Sequence, residues 1–150
     1  MRRLFVLFVL CFFWPQLAAA QAGFISVEDA YKQTKAGEVM LIDVRSVREW
    51  RKTGLPAGGH AITIHNRKGI QGFVDEVLAA TKGDRTRKIA LICASGVRST
   101  VAAKGLSRAG YRNLFNVREG MQGNRHDGPG WIKRKLPVER CRNCKKRLAD

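Results

Sequence analysis

Two short, nearly uninterrupted apolar runs constrain this chain more than any other feature: Val39-Met40-Leu41-Ile42-Asp43-Val44 and Lys88-Ile89-Ala90-Leu91-Ile92-Cys93. A strand with one face in water alternates apolar and polar residues. A strand that is apolar at successive positions is covered on both faces, which is the condition of a parallel sheet packed between helices. The intervening segments carry helical punctuation. Ser26 can cap a helix that has Glu28 and Asp29 in its first turn and runs to about Lys35, ahead of Gly37. A short helix is expected over 46–52, then a Gly- and Pro-containing loop, then a brief strand over 61–64. Phe73, Val74, Val77 and Leu78 share one helical face before Gly83, residues 99–109 have helical composition, and 113–117 reads as a last strand. A Gly-rich segment over 119–130 leads into a short helix that begins at Trp131. This alternation predicts an α/β domain with a mainly parallel central sheet flanked by helices.

The first 20 residues read as an address rather than as part of that domain. Arg2 and Arg3 precede eleven apolar residues, Leu4 to Trp14, and Leu17-Ala18-Ala19-Ala20 supplies the small residues that a signal peptidase cuts after. A membrane-spanning helix needs about 20 apolar residues, so a cleaved signal peptide and an exported, periplasmic product are expected. Cys11 leaves with the peptide. The domain is then expected over 21–139, with a basic tail over 140–150. Without Arg2 and Arg3, 26 Lys and Arg face 12 Asp and Glu, a formal charge of +14. Such a surface favours anionic partners: small oxyanions, an acidic protein, or a membrane surface reached by the tail. An exported protein rarely meets nucleic acid, which removes that class.

Chemistry concentrates on one loop. In an open α/β sheet the reactive edge is the carboxyl end of the strands, and Cys93 stands there, at the end of the second apolar run. Cys93-Ala94-Ser95-Gly96-Val97-Arg98-Ser99 leads from this strand to a helix start. Backbone N–H groups can turn inward around the sulfur, Gly96 gives the backbone its freedom, and the helix end and Arg98 add positive potential. All of these stabilise negative charge on the sulfur. In an oxidising compartment most thiols pair, so the unpaired Cys93 is a candidate reactive thiol.

Cys93-x-x-Gly96-x-Arg98-Ser99 resembles the active-site loop of the rhodanese family of sulfurtransferases. Asp43-Val44-Arg45-x-x-x-Glu49-Trp50, the turn from Gly54 to Ile64, Gly110-Tyr111, and Asn116 to Met121 are similar to further segments of that family. The likeness extends from about Phe24 to Glu139. It implies a rhodanese-like domain with Cys93 as sulfur carrier and Arg98 as its catalytic partner. The backbone of Ala94, Ser95, Gly96 and Val97, with Ser99, would cradle the substrate. Arg45 would help to attract the donor and would pair with Glu49, although a plain surface pair is also open. A Cys-based phosphatase or arsenate reductase has its Arg one residue later, where this chain has Ser99. The implied reaction is transfer of a sulfane sulfur from thiosulfate or a similar anion, through a persulfide on Cys93, to a thiol or protein acceptor, with no cofactor and no metal. His60, His65 and His126 have no motif around them and are expected to be structural or on the surface.

The tail holds a second feature, Cys141-Arg142-Asn143-Cys144. A local disulfide, a redox or sulfur-relay pair, and half of a metal site are three readings of it. Two other functional classes stand beside the enzyme: a non-catalytic rhodanese-like binding module, and a thiol carrier that works through Cys141 and Cys144.

Overall fold

The computed structural model describes residues 22–141. The expected signal peptide, Cys11, Cys144 and most of the basic tail lie outside the described residues.

The two apolar runs form the centre of a five-stranded parallel sheet. They are β2 (Met40–Asp43) and β5 (Ile89–Ile92), paired in register from Met40 beside Ile89 to Asp43 beside Ile92. The remaining strands of this sheet are β1 (Gly23–Phe24), β4 (His60–Ala61) and β6 (Leu114–Val117), and the spatial order is β1-β6-β5-β2-β4. Alternate residues of the central strands serve opposite layers. Met40, Ile42, Ile89 and Leu91 pack with α3 (Gly69–Ala80) and α4 (Val97–Arg108). Leu41, Ala90 and Ile92 pack with α1 (Val27–Lys35) and with Trp131 of α5 (Gly130–Lys133). The predicted α/β architecture, a mainly parallel central sheet flanked by helices, is therefore the observed one.

Local chemistry explains the helix starts. Ser26 caps α1 by accepting from the Asp29 amide at 3.0 Å. Ser46 and Glu49 form a reciprocal capping box on α2 (Val47–Thr53), which satisfies orphan amides at both residues. The α4 helix begins two residues earlier than its composition suggested. Gly96, at φ +90°, is its N-cap, so Val97, Arg98 and Ser99 already belong to the first turn.

Three strands escaped the sequence reading. The two residues of β1 add to β6, at the sheet edge. A separate two-stranded ribbon pairs β3 (Leu55–Pro56) with β7 (Val138–Glu139) in antiparallel fashion. These strands are two residues long, too short for any periodicity to show. The ribbon brings the end of the domain onto Trp50, Leu55 and Ala61, where Cys141 packs. Cys141 is in a disulfide, whereas Cys93 is free. The partner of Cys141 lies outside the described residues.

Candidate active site

The connections leaving β2 and β5 diverge. From β2 the chain moves to β4 on one side, and from β5 it moves to β6 on the other. The carboxyl ends of these two strands therefore flank the crevice in which ligands of such sheets bind. Both loops that the sequence singled out open into it. The backbone joins them directly, since Val44 N donates to Ile92 O at 2.9 Å.

Cys93 is 1% exposed. The loop that surrounds its sulfur is held from outside by the Gly-rich segment. Met121 N donates to Cys93 O at 2.8 Å, Gln122 N to Ala94 O at 2.9 Å, and Asn124 Nδ2 to Ser95 O at 3.4 Å. Three successive carbonyls are thus turned outward. In a trans peptide the N–H points opposite to the C=O, so the amides of Ala94, Ser95 and Gly96 face the inner side of the turn. Gly96 N reaches Cys93 Sγ at 3.1 Å. The Ser99 hydroxyl lies 3.4 Å from the same sulfur and 3.0 Å from Gly96 O, and its single proton serves one acceptor at a time.

Two glycines make this closeness geometrically possible. A Cβ on Gly96 would collide with Arg118 O, and one on Gly120, at φ +69°, would collide with Ala94 O. Side chains behind the loop complete its support. Thr100 Oγ1 donates to Gly96 O at 2.8 Å, and Asn116 Nδ2 donates to Thr100 Oγ1 at 2.7 Å.

Arg45 occupies a different place from the one expected. Arg45 is fully buried, so it cannot meet a donor anion. Its Nε lies 3.0 Å from both Asp43 carboxylate oxygens and its Nη2 2.6 Å from Oδ2. Nη1 donates to Thr53 Oγ1 and Nη2 also to Gly54 O, both at 2.7 Å. The expectations that Arg45 binds substrate and that it pairs with Glu49 are both corrected. Its guanidinium instead ties β2 to the end of α2. Burial pushes the Asp43 carboxyl up from its ordinary value, against the pull of this guanidinium.

Glu49 pairs with Arg98. The guanidinium and carboxylate meet as a fork, Nη2 to Oε1 at 2.6 Å and Nη1 to Oε2 at 2.7 Å. Hydrogen bonding from Arg98 lowers the Glu49 pKa to about 2. The sequence carried a signal for this contact. The Ser46-x-x-Glu49 capping spacing puts Glu49 in the first turn of α2, at the same sheet edge as the Cys93 loop. His65 also joins the group, with Nε2 3.3 Å from Arg98 Nη1. No local motif marks it, and it comes close only because the segment after β4 folds over α3. His65 further lines an open cleft of about 820 Å³ that reaches Val47, Trp50, Arg67, Lys68 and Asp75.

The fold and this cysteine turn define a class of small α/β domains built around a strand-to-helix thiol loop. Comparison with known proteins places the chain within it. The rhodanese-like domain family matches residues 26–126, and the chain belongs to that family. The uncharacterized protein RP600 of Rickettsia prowazekii is 31% identical over 99 residues, covering 65% of this chain and 80% of that one. Among solved structures, Rv0390 from M. tuberculosis superimposes with a TM-score of 0.65 at 26% identity, over 81% of this chain and 99% of that chain. The polysulfide-sulfur transferase homodimer from Wolinella succinogenes gives a TM-score of 0.58 at 25% identity, over 79% of each chain.

Proposed function

We propose that this protein is a sulfurtransferase that carries a sulfane sulfur as a persulfide on Cys93. The observation that carries this reading is the size and polarity of the turn. Only Ala94 and Ser95 separate Cys93 from the Gly96 N-cap, and their outward carbonyls leave inward N–H groups around one sulfur atom. A second sulfur bonded to Cys93 Sγ would extend toward those amides, and its negative charge is what such donors stabilise. The likeness to a polysulfide-sulfur transferase supports the same chemistry.

In the first half-reaction, the Cys93 thiolate attacks the outer sulfur of thiosulfate or a similar donor. The new S–S bond forms as the donor's S–S bond breaks, and the bonding pair leaves with sulfite. In the second half-reaction a thiol or protein acceptor attacks the outer sulfur of the persulfide and restores the thiolate. Gly96 N and Ser99 Oγ hold the sulfur in both halves. The same reading includes export to the periplasm, on the strength of the basic start and the apolar run in residues 1–20.

Incubation with thiosulfate should increase the protein mass by one sulfur atom, located on Cys93 by peptide mapping. Cys93→Ser should abolish both this adduct and turnover while the fold persists, because an alcohol is not ionised at neutral pH. Retained turnover in the Ser variant would remove Cys93 from the mechanism.

A further inference from the structure

Glu49 pairs with Arg98 in the first turn of α4, two residues beyond the Gly96 amide that reaches the Cys93 sulfur, and the following step rests on the sulfur-transfer reading above. Arg98 is the cation of the active loop, yet both of its terminal nitrogens are engaged by the two oxygens of Glu49, at 2.6 and 2.7 Å. Glu49 is fixed from behind as well. Its Oε2 accepts from Ser46 N at 3.0 Å and from Ser46 Oγ at 2.7 Å, so turning it away from Arg98 breaks the capping box too. The pair is a pinned, locally neutral unit contributed by α2 and α4. With a pKa of about 2, Glu49 keeps its charge at every pH where a thiolate acts.

We propose that Glu49 is a specificity-determining residue. By cancelling the Arg98 charge it sets the site for sulfane donors that carry one negative charge or none, in preference to dianionic thiosulfate. Charge counting gives the reason. When thiosulfate meets the Cys93 thiolate, three negative charges gather around the transferred sulfur, and sulfite leaves with two of them. An organic thiosulfonate ion undergoes the same attack on the same kind of sulfur. It gathers two charges, and a sulfinate leaves with one. Backbone dipoles and a neutral ion pair compensate two charges better than three. The excess of Lys and Arg, a formal charge of +14 without Arg2 and Arg3, concentrates both anions. That field is screened over about 8–10 Å, so discrimination at contact falls to the groups next to the sulfur.

The test compares two probes that differ by one charge, thiosulfate and the methanethiosulfonate ion. Sulfur loading on Cys93 is timed by mass at several concentrations of each. Wild-type protein should show the larger kcat/KM with methanethiosulfonate. Glu49→Gln keeps the shape and frees the Arg98 charge, and should raise the thiosulfate-to-thiosulfonate ratio roughly tenfold. Arg98→Gln leaves Glu49 unmatched and should lower the same ratio by a similar factor. It gives the answer on its own if Glu49→Gln fails to fold. Loosened packing would slow both donors alike, so the ratio isolates charge. Loading by both donors with a ratio that ignores these substitutions overturns the role of Glu49 and leaves sulfur transfer standing. Failure of both donors to load wild-type Cys93 overturns the transfer reading, and this inference with it, whereas loading by thiosulfate alone overturns the role of Glu49 only.

Discussion

Arg45 and Arg98 stand at the carboxyl ends of neighbouring strands, and each meets a carboxylate oxygen at 2.6 Å. The chemistry of the two pairs is the same, but their surroundings are not. Arg45 and Asp43 have no exposed side-chain surface, whereas Arg98 and Glu49 keep 29% and 26% of theirs. The carboxylates respond in opposite directions. Burial dominates at Asp43 and pushes it up, while hydrogen bonding from Arg98 dominates at Glu49 and pulls it down. One pair is therefore a construction element whose charges never meet a ligand. The other keeps a quarter or more of its surface in water beside the Cys93 loop, where the proposed role in donor selection needs it to be.

The largest expected effect tests the buried member. Arg45→Ala strands the Asp43 carboxylate in the interior, and removing one partner of a buried pair costs about 3–5 kcal/mol. The urea midpoint should fall accordingly. A loss below about 1 kcal/mol would put Arg45 in the same energetic class as an exposed pair and erase the contrast.

Arg98→Ala should have a much smaller effect on stability, under about 1 kcal/mol, because Glu49 regains water when its partner is removed. Loading of Cys93 from thiosulfate should change nonetheless, which separates function from folding at this position. An Arg98→Ala protein that unfolds as readily as Arg45→Ala would contradict the assignment of the two roles.

The smallest effect is a titration. The folded-state pKa of Glu49, about 2, lies below its ordinary 4.5. The pair thus adds stability that is fully present above 4.5 and is lost as pH falls from 4.5 toward 2. Carboxyl carbon NMR should place the Glu49 midpoint near 2 in the wild type, and nearer its ordinary value in Arg98→Ala. A wild-type midpoint at the ordinary value would mean that the fork does not persist in solution.

These same residues show what the sequence could and could not disclose. The apolar runs announced β2 and β5 because burial on both faces leaves a composition that nothing else between residues 22 and 141 imitates. Cys93 and Gly96 were legible because a thiol at a strand end followed by a glycine is a local pattern. Pairing was harder, since Arg45 and Arg98 look alike in one dimension. Proximity in sequence favoured joining Arg45 to Glu49. The register that sets Asp43 beside Ile92, and so brings α2 against the Cys93 loop, is a long-range fact. His65 was missed for the same reason. The support from Met121, Gln122 and Asn124 is largely backbone bonding, which side-chain identity scarcely encodes.

The edge strand β1 has one further consequence, for the order in which the molecule can be completed. Gly23 and Phe24 pair with Phe115 and Asn116 of β6, which are contributed from the other end of the domain. A chain emerging amino-terminus first, from a ribosome or through a translocation pore, holds these residues without a strand to join until almost all of the domain has followed. Contacts so distant in sequence form late, because loop closure must precede them. The sheet can nucleate at β2 and β5, but its β1 edge waits for the carboxyl-terminal half. A chain stalled before residue 115 would therefore display β6's future docking edge on β5 as an open template, exposed to quality-control factors until synthesis resumes.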